Sequence, residues 1–411
     1  MLTAALTVRS LLIAIFMLTA GSGFLQTLLS VRLERAGSST FAIGAVAMAY
    51  FAGLSVGAVR AGPVVQRVGH IRAFAAFVSI YSASALAYAL YRDPFFWGAL
   101  RFIDGLCVAS VFICLESWLN ERADAGTRSS ILAAYMIFLY LGQATSQFLL
   151  NLSTISPALP LMAASILISL AVIPVALTRI AAPPIEAAHP LSLRRLYGIS
   201  PLGTVGAAVT GLMLGAFYGL AAVHIRRLGL ELSETAIFMS AVIFGGVALQ
   251  WPLGRLSDRI DRRKVIVATF AATALCCLAI AMIHRGGALL LLLGALFGGF
   301  SFALYPLCVA HTNDHLDPRQ RIAATGGLVL LYSAGATLGP VGGAAGMSLF
   351  GAGGLFLFIA LCAGGTLFFG FWRQLIAAPV PVDEQRDYQI LPRTTPTAAM
   401  LDPHAPEGAP Q

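Results

Sequence analysis

Apolar stretches of about twenty residues recur along almost the whole chain, and this pattern restricts the fold more than any other feature. An α-helix rises about 1.5 Å per residue, so a stretch of this length crosses a hydrocarbon core about 30 Å thick. Only 11% of the 411 residues are charged, whereas a soluble domain carries about a quarter. The alternating polarity of a spanning β-barrel is absent from the sequence. We therefore predict an all-α membrane protein.

The apolar stretches predict twelve transmembrane helices, six on each side of a long polar connection. In the first half they lie at about residues 8–29, 40–59, 73–90, 95–118, 131–152 and 158–178. In the second half they lie at about residues 202–224, 234–253, 265–284, 288–310, 323–347 and 354–372. The predicted domains are a first half 1–178, a cytoplasmic linker 179–201, a second half 202–374 and a tail 375–411. The tail is rich in Pro and has no hydrophobic periodicity, so we predict that it is disordered and cytoplasmic.

The basic residues indicate the orientation of the chain. With both termini inside, the inner segments hold 19 Arg and Lys residues and the outer loops hold 6. The first span taken alone argues weakly for the opposite orientation, but the sum over all loops predicts that both termini are cytoplasmic in a bacterial inner membrane. These basic residues form short clusters between apolar stretches, so they indicate topology and not a nucleic-acid-binding face.

The sequence has few features of an enzyme. The six cysteines all lie within apolar stretches and show no disulfide or metal-ligand spacing, as is typical of small buried hydrophobic residues. There is no phosphate-binding loop of the Walker type, and no motif places a nucleophile beside a base. We predict no enzymatic activity, no cofactor and no metal.

An internal repeat relates the two halves. A shift of 192 residues places "GPVVQRVGHIR" on "GRLSDRIDRRK", so that Gly62 meets Gly254 and Arg67 meets Arg259. Two further loops align at nearly the same shift, each on the same side of the membrane as its counterpart. The halves are therefore predicted to be parallel repeats, related by an axis along the membrane normal.

These residues resemble the major facilitator superfamily of secondary transporters. The resemblance rests on the six-plus-six arrangement, the basic loop after the second helix, and "LRFIDGL", in which Arg101 and Gly105 match the fourth-helix motif of the family. More narrowly, "ESWLNERA" and "FALYPLCVAHTND" resemble the YcaD-type branch. The resemblance implies alternating access, with a small-molecule substrate. The fifth span lacks the G-P-x-x-G-G pattern of drug–proton antiporters, so antiport is not implied.

The resemblance also implies a cytoplasmic latch between the halves. The family motif has an acidic residue in this loop, but Gln66 replaces it in the first half, while the second half keeps Asp258. The basic loop could equally be only a topology anchor near anionic lipid. His311 and Asp314 lie at spacing i, i+3 and are either a pH-sensitive gate pair or a helix-end network. The candidate gate or latch residues are Gly62, Arg67, Gly254, Asp258, Arg259, His311 and Asp314.

The strongest candidates for mechanism are three ionisable residues in the fourth span. A charge at a helix centre costs about 2.5 to 3.5 kcal/mol on insertion scales, so Arg101 and Asp104 should not face lipid. With Glu116 they are predicted to form a polar stripe on a cavity between the halves. Arg101 either binds an anionic group or keeps Asp104 ionised, and Asp104 or Glu116 takes up a proton. The alternative is a static ion pair that fixes the fourth helix.

Further polar residues within spans are candidates for the substrate or proton pathway, or else for hydrogen bonds between helices. Those selected are Gln26, Gln143, Tyr305 and Tyr332. The predicted function is a secondary transporter of a small solute, with proton coupling left open. The alternative is a membrane-embedded sensor or binding protein that has this fold without transport. The expected partners are a substrate, membrane lipid and, in the coupled case, protons; we expect a monomer and no nucleic acid.

Overall fold

The computed structural model describes residues 6–124, 126–178 and 191–403, and twelve helices in this part of the chain are long and apolar enough to span a membrane. This confirms the predicted twelve-span, all-α architecture. The first six spans are Arg9–Arg35, Thr40–Val68, His70–Ala87, Pro94–Arg122, Arg128–Thr154 and Leu159–Ala176. The second six are Pro201–Arg227, Leu232–Ser257, Arg262–Ala281, Ala288–Asn313, Arg319–Phe350 and Gly354–Ile376.

Several helices are longer than the apolar stretches that predict them. The second span continues through Gly62 and Pro63 to Val68, so most of the first basic loop is helical. The helix ends where Gly69 takes a φ of 88°, a conformation that glycine adopts without strain. The fifth span is an α-helix to Ser146 and finishes as the 3₁₀ turn Gln147–Thr154.

The repeat is visible as the same close contact in both halves. In the first half the second and fourth spans touch backbone to backbone: a Cβ added to Gly105 would lie 2.0 Å from the carbonyl oxygen of Tyr50. In the second half the eighth and tenth spans do the same, and a Cβ on Gly298 would lie 1.9 Å from the carbonyl oxygen of Val242. These two contacts are related by the sequence shift of the repeat, so the glycines are shared scaffold.

One side of the membrane carries the loops near residues 36–39 and 228–231 and is here called the far side. The two halves meet closely there. Arg227 Nε lies 2.7 Å from Glu34 Oε1, and Arg227 Nη2 also donates to Thr40. Ser30 Oγ donates to the carbonyl oxygen of Gly219 at 2.8 Å. The far side is therefore closed by direct contacts between the first and second halves.

On the opposite side, here called the tail side, the segment after the twelfth span lies between the halves. The composition predicts disorder for residues 375–411, but residues 377–403 are ordered and include the 3₁₀ turns Val382–Glu384 and Pro396–Leu401. The prediction failed because this segment has no core of its own: Leu391, Ala398 and Leu401 are buried against the two halves. Residues 404–411 lie outside the described part of the chain.

The predicted linker at 179–201 is described only from residue 191. There the chain forms a short helix, Leu193–Ile199, directly before the seventh span. The Leu191 N–H donates to the carbonyl oxygen of Ala323 in the eleventh span, so this end of the linker is fixed to the second half. Residues 179–190 lie outside the described part of the chain.

Candidate functional site

A central cavity of about 170 Å³ lies between the two halves. The first half contributes most of its polar groups, and the second half contributes mainly aromatic and small residues. Of the predicted site residues, four reach this cavity, namely Arg101, Gln26, Gln143 and Tyr332. Three segments thus meet here, because residues 392–394 of the tail complete the wall.

Arg101 and Asp104 form a buried ion pair of which only the guanidinium reaches the cavity. Arg101 Nη1 lies 3.0 Å from Asp104 Oδ2, and the Tyr88 hydroxyl donates to the same oxygen at 2.5 Å. The Arg101 guanidinium carbon lies 4.2 Å from the centre of the Tyr50 ring, a cation–π contact. Asp104 is 0% exposed and packs behind Arg101, within the first half. The pair agrees with the prediction that neither charge faces lipid.

Glu116 does not belong to the same polar stripe as Arg101. Fifteen residues separate the two on one helix, which corresponds to about 22 Å along the axis. Glu116 lies near the tail side, where its Oε1 accepts a hydrogen bond of 2.8 Å from the Tyr135 hydroxyl. The hydroxyls of Thr394 and Thr395 also donate to its two carboxylate oxygens. The prediction that Glu116 shares a stripe with Arg101 on one cavity wall is therefore wrong.

Several buried polar atoms at the cavity have no hydrogen-bond partner within the described residues. They include Oε1 of Gln26, Oε1 of Gln143, Nε of Arg101 and Oγ of Ser333. The amide nitrogen of Gln26 is used, since it donates to Ser30 Oγ at 3.0 Å. A buried polar group left without a partner costs about 1 to 3 kcal/mol. These atoms are therefore free to bind a polar ligand.

Aromatic residues surround the guanidinium of Arg393, a tail residue, on the second-half side of the cavity. Its carbon lies 4.5 Å from the centre of the Phe302 ring and 5.4 Å from that of Tyr332. Tyr140 of the first half packs on Phe302, with ring centres 5.7 Å apart. Tyr305 was predicted to line the pathway, but it lies behind Tyr332 and is fully buried. Its ring supports Tyr332 and does not belong to the cavity wall.

The predicted latch residues of the second half contact the tail. Asp258 Oδ1 accepts from Arg262 Nη2 at 2.8 Å and from the backbone N–H of Tyr388 at 2.9 Å. The Tyr388 ring lies over Gly254, where an added Cβ would be 2.1 Å from a ring carbon. Partial burial raises the pKa of the Asp258 carboxyl above its usual value, although Arg262 and the Tyr388 N–H oppose this.

The remaining latch candidates lie apart from these contacts. Gly62 is inside the second-span helix, and the side chains of Arg67 and Arg259 are exposed. The carboxylate of Asp258 thus binds its own half and the tail. It does not bind Arg67, the first-half residue that the repeat aligns with Arg259.

His311 and Asp314 do not form the predicted gate pair. Asp314 Oδ2 lies 2.6 Å from Arg262 Nη1, and Asp314 Oδ1 accepts from the backbone N–H of Arg386 at 3.1 Å. The His311 ring instead packs edge-on against His315, with ring centres 4.9 Å apart. The alternative reading, a helix-end network, describes this region better.

Two functional elements were missed by sequence reasoning. Arg262 is 1% exposed and joins Asp258, Asp314 and the carbonyl oxygen of Arg386. The i, i+4 spacing of Asp258 and Arg262 is a sequence signal for this pair, although Arg262 also belongs to the basic residues that indicate topology. The other is the tail segment "LPRTTP", whose single Arg between prolines carried no periodic signal.

Comparison with known proteins agrees with this architecture. The family model described as Major Facilitator Superfamily matches residues 203–398. The chain is 28% identical to the MFS-type transporter YcaD of Salmonella newport, over 81% of this chain and 87% of that protein. It is 29% identical to YcaD of Escherichia fergusonii over the same shares. Both relatives are MFS-type transporters, in agreement with the family model that matches the second half of the chain.

Solved structures of major facilitator superfamily transporters have the same fold. A mutant of the nucleoside transporter NupG superposes with a TM-score of 0.77 at 14% identity, covering 90% of this chain and 100% of NupG. A bacterial homologue of the human lysosomal transporter Spinster, in an inward-facing and occupied conformation, gives 0.71 at 14% identity, covering 92% and 99%. The chain is thus a multi-pass protein with the fold of these transporters, and its similarity to the MFS-type transporter YcaD, noted in its loop motifs, extends over most of its length.

Proposed function

We propose that this transporter moves a small polar solute across the bacterial inner membrane by alternating access. The observation that carries the proposal is the polar cavity at the interface of the two halves, closed by direct contacts on the far side. In such a transporter the site lies near the midplane at the interface of the repeats, and the halves rock around it. Residues 1–178 and 202–374 would be the two moving units.

The polar contacts that close the far side are individually weak. The Arg227–Glu34 pair is partly exposed, and such pairs contribute about 0.2 to 1 kcal/mol. The hydrogen bond from Ser30 to Gly219 is a single neutral contact. One tight glycine contact also crosses between the halves, since a Cβ added to Gly44 would lie 2.8 Å from the carbonyl oxygen of Pro340, whereas the contacts of Gly105 and Gly298 lie inside a half. Opening the far side would break these contacts between the halves and leave the Gly105 and Gly298 contacts inside each half intact.

The cavity chemistry favours a solute with an anionic group. The Arg101 guanidinium faces the cavity and its Nε is not engaged within the described residues. Gln26 and Gln143 offer carbonyl oxygens that would accept from hydroxyl or amine groups of the solute. The Tyr332 ring offers an apolar surface on the opposite wall. We infer that Arg101 binds the anionic group and that the two glutamines orient the remainder.

Asp104 is positioned to couple this binding to a proton. While Asp104 is ionised, its charge neutralises Arg101 at 3.0 Å. Protonation of Asp104 would release the full charge of Arg101 for an anionic solute, so that proton and solute bind together. This arrangement would give proton–solute symport. The tail side is proposed to be cytoplasmic, because the basic loops lie there.

The test has two stages. A thermal-shift screen of purified protein against carboxylates, phosphates and neutral or cationic metabolites would identify ligands, since a ligand that binds the folded state raises its apparent stability. The ligand found would then be used in solute counterflow across liposomes. We expect exchange that is lost in Arg101→Gln and retained in Arg67→Gln, which alters an exposed arginine. A ligand that binds without exchange would favour the sensor function.

A further inference from the structure

The tail occupies the tail-side opening between the two halves and reaches the transport cavity. It leaves the twelfth span at Ile376, crosses the second half, enters the cavity at residues 392–394 and ends against both halves at residues 396–401. The far side is closed by the halves themselves, whereas the tail side is filled by this segment. Three sets of contacts hold it there.

The first set fixes the tail to the second half through its backbone. The N–H groups of Arg386 and Tyr388 donate to Asp314 and Asp258. Arg262 Nη2 donates to the carbonyl oxygen of Arg386 at 2.5 Å. The buried Arg262 thus bridges two carboxylates and the tail, and such charge-assisted hydrogen bonds are stronger than neutral ones. Backbone contacts of this kind depend on the path of the tail more than on its side chains.

The second set of contacts forms the tail-side wall of the cavity. The Arg393 guanidinium lies on the Phe302 and Tyr332 rings, and Pro392, Arg393 and Thr394 form part of the cavity wall. Tyr332 and the cavity residue Tyr140 are also the aromatic groups that a solute would meet at this level. Residue 393 therefore covers aromatic surface that a solute would otherwise contact.

The third set fixes the tail to the first half. The hydroxyls of Thr394 and Thr395 donate to the buried carboxylate of Glu116, which among the described residues would otherwise keep the Tyr135 hydroxyl alone. The turn Pro396–Leu401 then packs against the fourth and eleventh spans, with Ala398, Ala399 and Leu401 buried. Because these contacts reach both halves, the tail also restrains their relative movement.

We propose that residues 386–401 are an autoinhibitory plug that binds the tail-side half of the transport cavity. With the plug in place, a solute in the cavity cannot exchange with the tail side, and the halves are held in the state that is closed on the far side. The plug must leave for a transport cycle to be completed. Inhibition of transport rests on the function proposed above, whereas binding of the tail to the cavity does not.

The experiment uses the full chain and a peptide as probe. In the plug variant, Arg393→Ala, Thr394→Ala and Thr395→Ala are combined, which removes the contacts with the aromatic rings and with Glu116. A labelled peptide of residues 384–403 is titrated against the plug variant and the native protein. We expect saturable binding to the variant, and binding to the native protein weaker by about tenfold or more because its own tail occupies the site. A peptide with Arg393→Ala should bind the variant more weakly.

A second measurement reports access to the cavity. Gln143→Cys is introduced into the native and plug-variant chains, and the rate of modification by a charged methanethiosulfonate is measured from the tail side. The plug variant should react about tenfold faster or more, while Asp383→Ala with Glu384→Ala, two exposed tail residues, should leave the rate unchanged. Background labelling of the native cysteines is measured without Gln143→Cys.

The outcomes separate this proposal from the proposed function. Equal modification rates together with equal peptide binding by native and variant chains would overturn the plug. If the identified solute is exchanged in counterflow at the same rate by both chains, transport stands and autoinhibition fails. If the peptide and labelling results are as expected but no solute is exchanged, the tail is a ligand of the cavity and the transport function fails.

Discussion

Tyr88, at the end of the third span, and Arg101, three residues before Asp104 on the fourth span, bind the same carboxylate oxygen of Asp104 at 2.5 and 3.0 Å. Arg101 lines the cavity and Tyr88 is enclosed in the first half, so Asp104 lies between the cavity and the protein interior. This arrangement explains how a carboxylate that does not line the cavity can respond to what binds there.

Replacement of Asp104 by Asn tests its role as proton carrier. Asn keeps the shape and can accept a hydrogen bond, but it cannot be ionised. We expect the pH dependence of counterflow or uptake of the identified solute to be abolished. Removing one partner of a buried ion pair costs about 3 to 5 kcal/mol, so the variant should unfold at a lower temperature while still folding. Tyr88→Phe, which removes a hydrogen bond and no charge, is the matched control and should keep the pH dependence. If Asp104→Asn keeps it as well, Asp104 is not the carrier.

Glycine replacements in the fourth span test the scaffold. Gly105→Ala would place a Cβ 2.0 Å from the Tyr50 carbonyl oxygen, so the second and fourth spans must move apart. Overpacking of this kind costs about 1 to 3 kcal/mol or more. Gly98→Ala, in the same helix, meets nothing within 4 Å and should be neutral or slightly stabilising, because Ala favours the helix. Thermal unfolding in one detergent would compare the two, and equal midpoints would contradict the close contact.

The scaffold was predictable because its signals are local. Twelve apolar stretches and the shift of the repeat gave the spans, and the shared glycine of the fourth and tenth spans marks equivalent contacts at Gly105 and Gly298. Burial of Arg101 and Asp104 followed from the cost of a charge in lipid. Periodicity gives an angle around a helix axis but not the neighbour on that side, so it could not reveal that Asp104 faces Tyr88 or that Tyr305 lies behind Tyr332.

The tail was unpredictable for a different reason. Its contacts join residues far apart in the chain: Glu116 and Thr394 are separated by 278 positions. A polar, Pro-rich segment is predicted to be disordered because it has too few apolar residues to form a core of its own. Here the core is supplied by the two halves. The same error affected the latch, since the loop motif indicates a carboxylate at Asp258 but not which partner it binds.

Arg262, the buried arginine that binds Asp258, Asp314 and the tail, gives a further prediction. Arg262→Ala would leave the carboxylates of Asp258 and Asp314 without their cation, and a broken buried pair costs about 3 to 5 kcal/mol. Arg262→Lys should rescue this only in part, because a single ammonium lacks the planar fork that reaches both carboxylates. The exposed Arg259→Ala should change stability by no more than about 0.5 kcal/mol. Thermal unfolding and the labelling rate of the cavity cysteine would be measured on the same variants. If the cysteine is labelled no faster in Arg262→Ala than in Arg259→Ala, Arg262 does not hold the tail in place.

Asp261 gives a pH prediction outside the spans. Although its partial burial opposes this, hydrogen bonds and the charge of Arg263 lower the pKa of the Asp261 carboxyl below its usual value. For an acid with a lowered pKa in the folded state, the stabilisation is present above the unfolded pKa and is lost as the pH falls through the folded one. Asp261→Asn keeps the side-chain acceptor that caps the ninth span but removes the charge. Its unfolding temperature should therefore be below that of the native protein near neutral pH, and the difference should shrink as the pH falls below about 4 and vanish below the lowered pKa of the folded state. A difference that persists unchanged in acid would assign the effect to the cap and not to the charge.

The ion pair on the far side gives a prediction about alternating access. Arg227 joins the seventh span to Glu34 in the first span and Thr40 in the second, so Arg227→Ala should favour opening of the far side. Because both side chains are partly exposed, the expected shift in the conformational equilibrium is small, about 0.2 to 1 kcal/mol, which is a factor of up to about five.

The measurement is the rate at which Gln143→Cys is labelled from the far side, which should be faster in Arg227→Ala and in Glu34→Ala. In the double variant the two effects should not add, because both single changes remove the same contact. Additive rates would indicate that the two residues act on the opening independently, and labelling that is unchanged in all three would remove this pair from the gate.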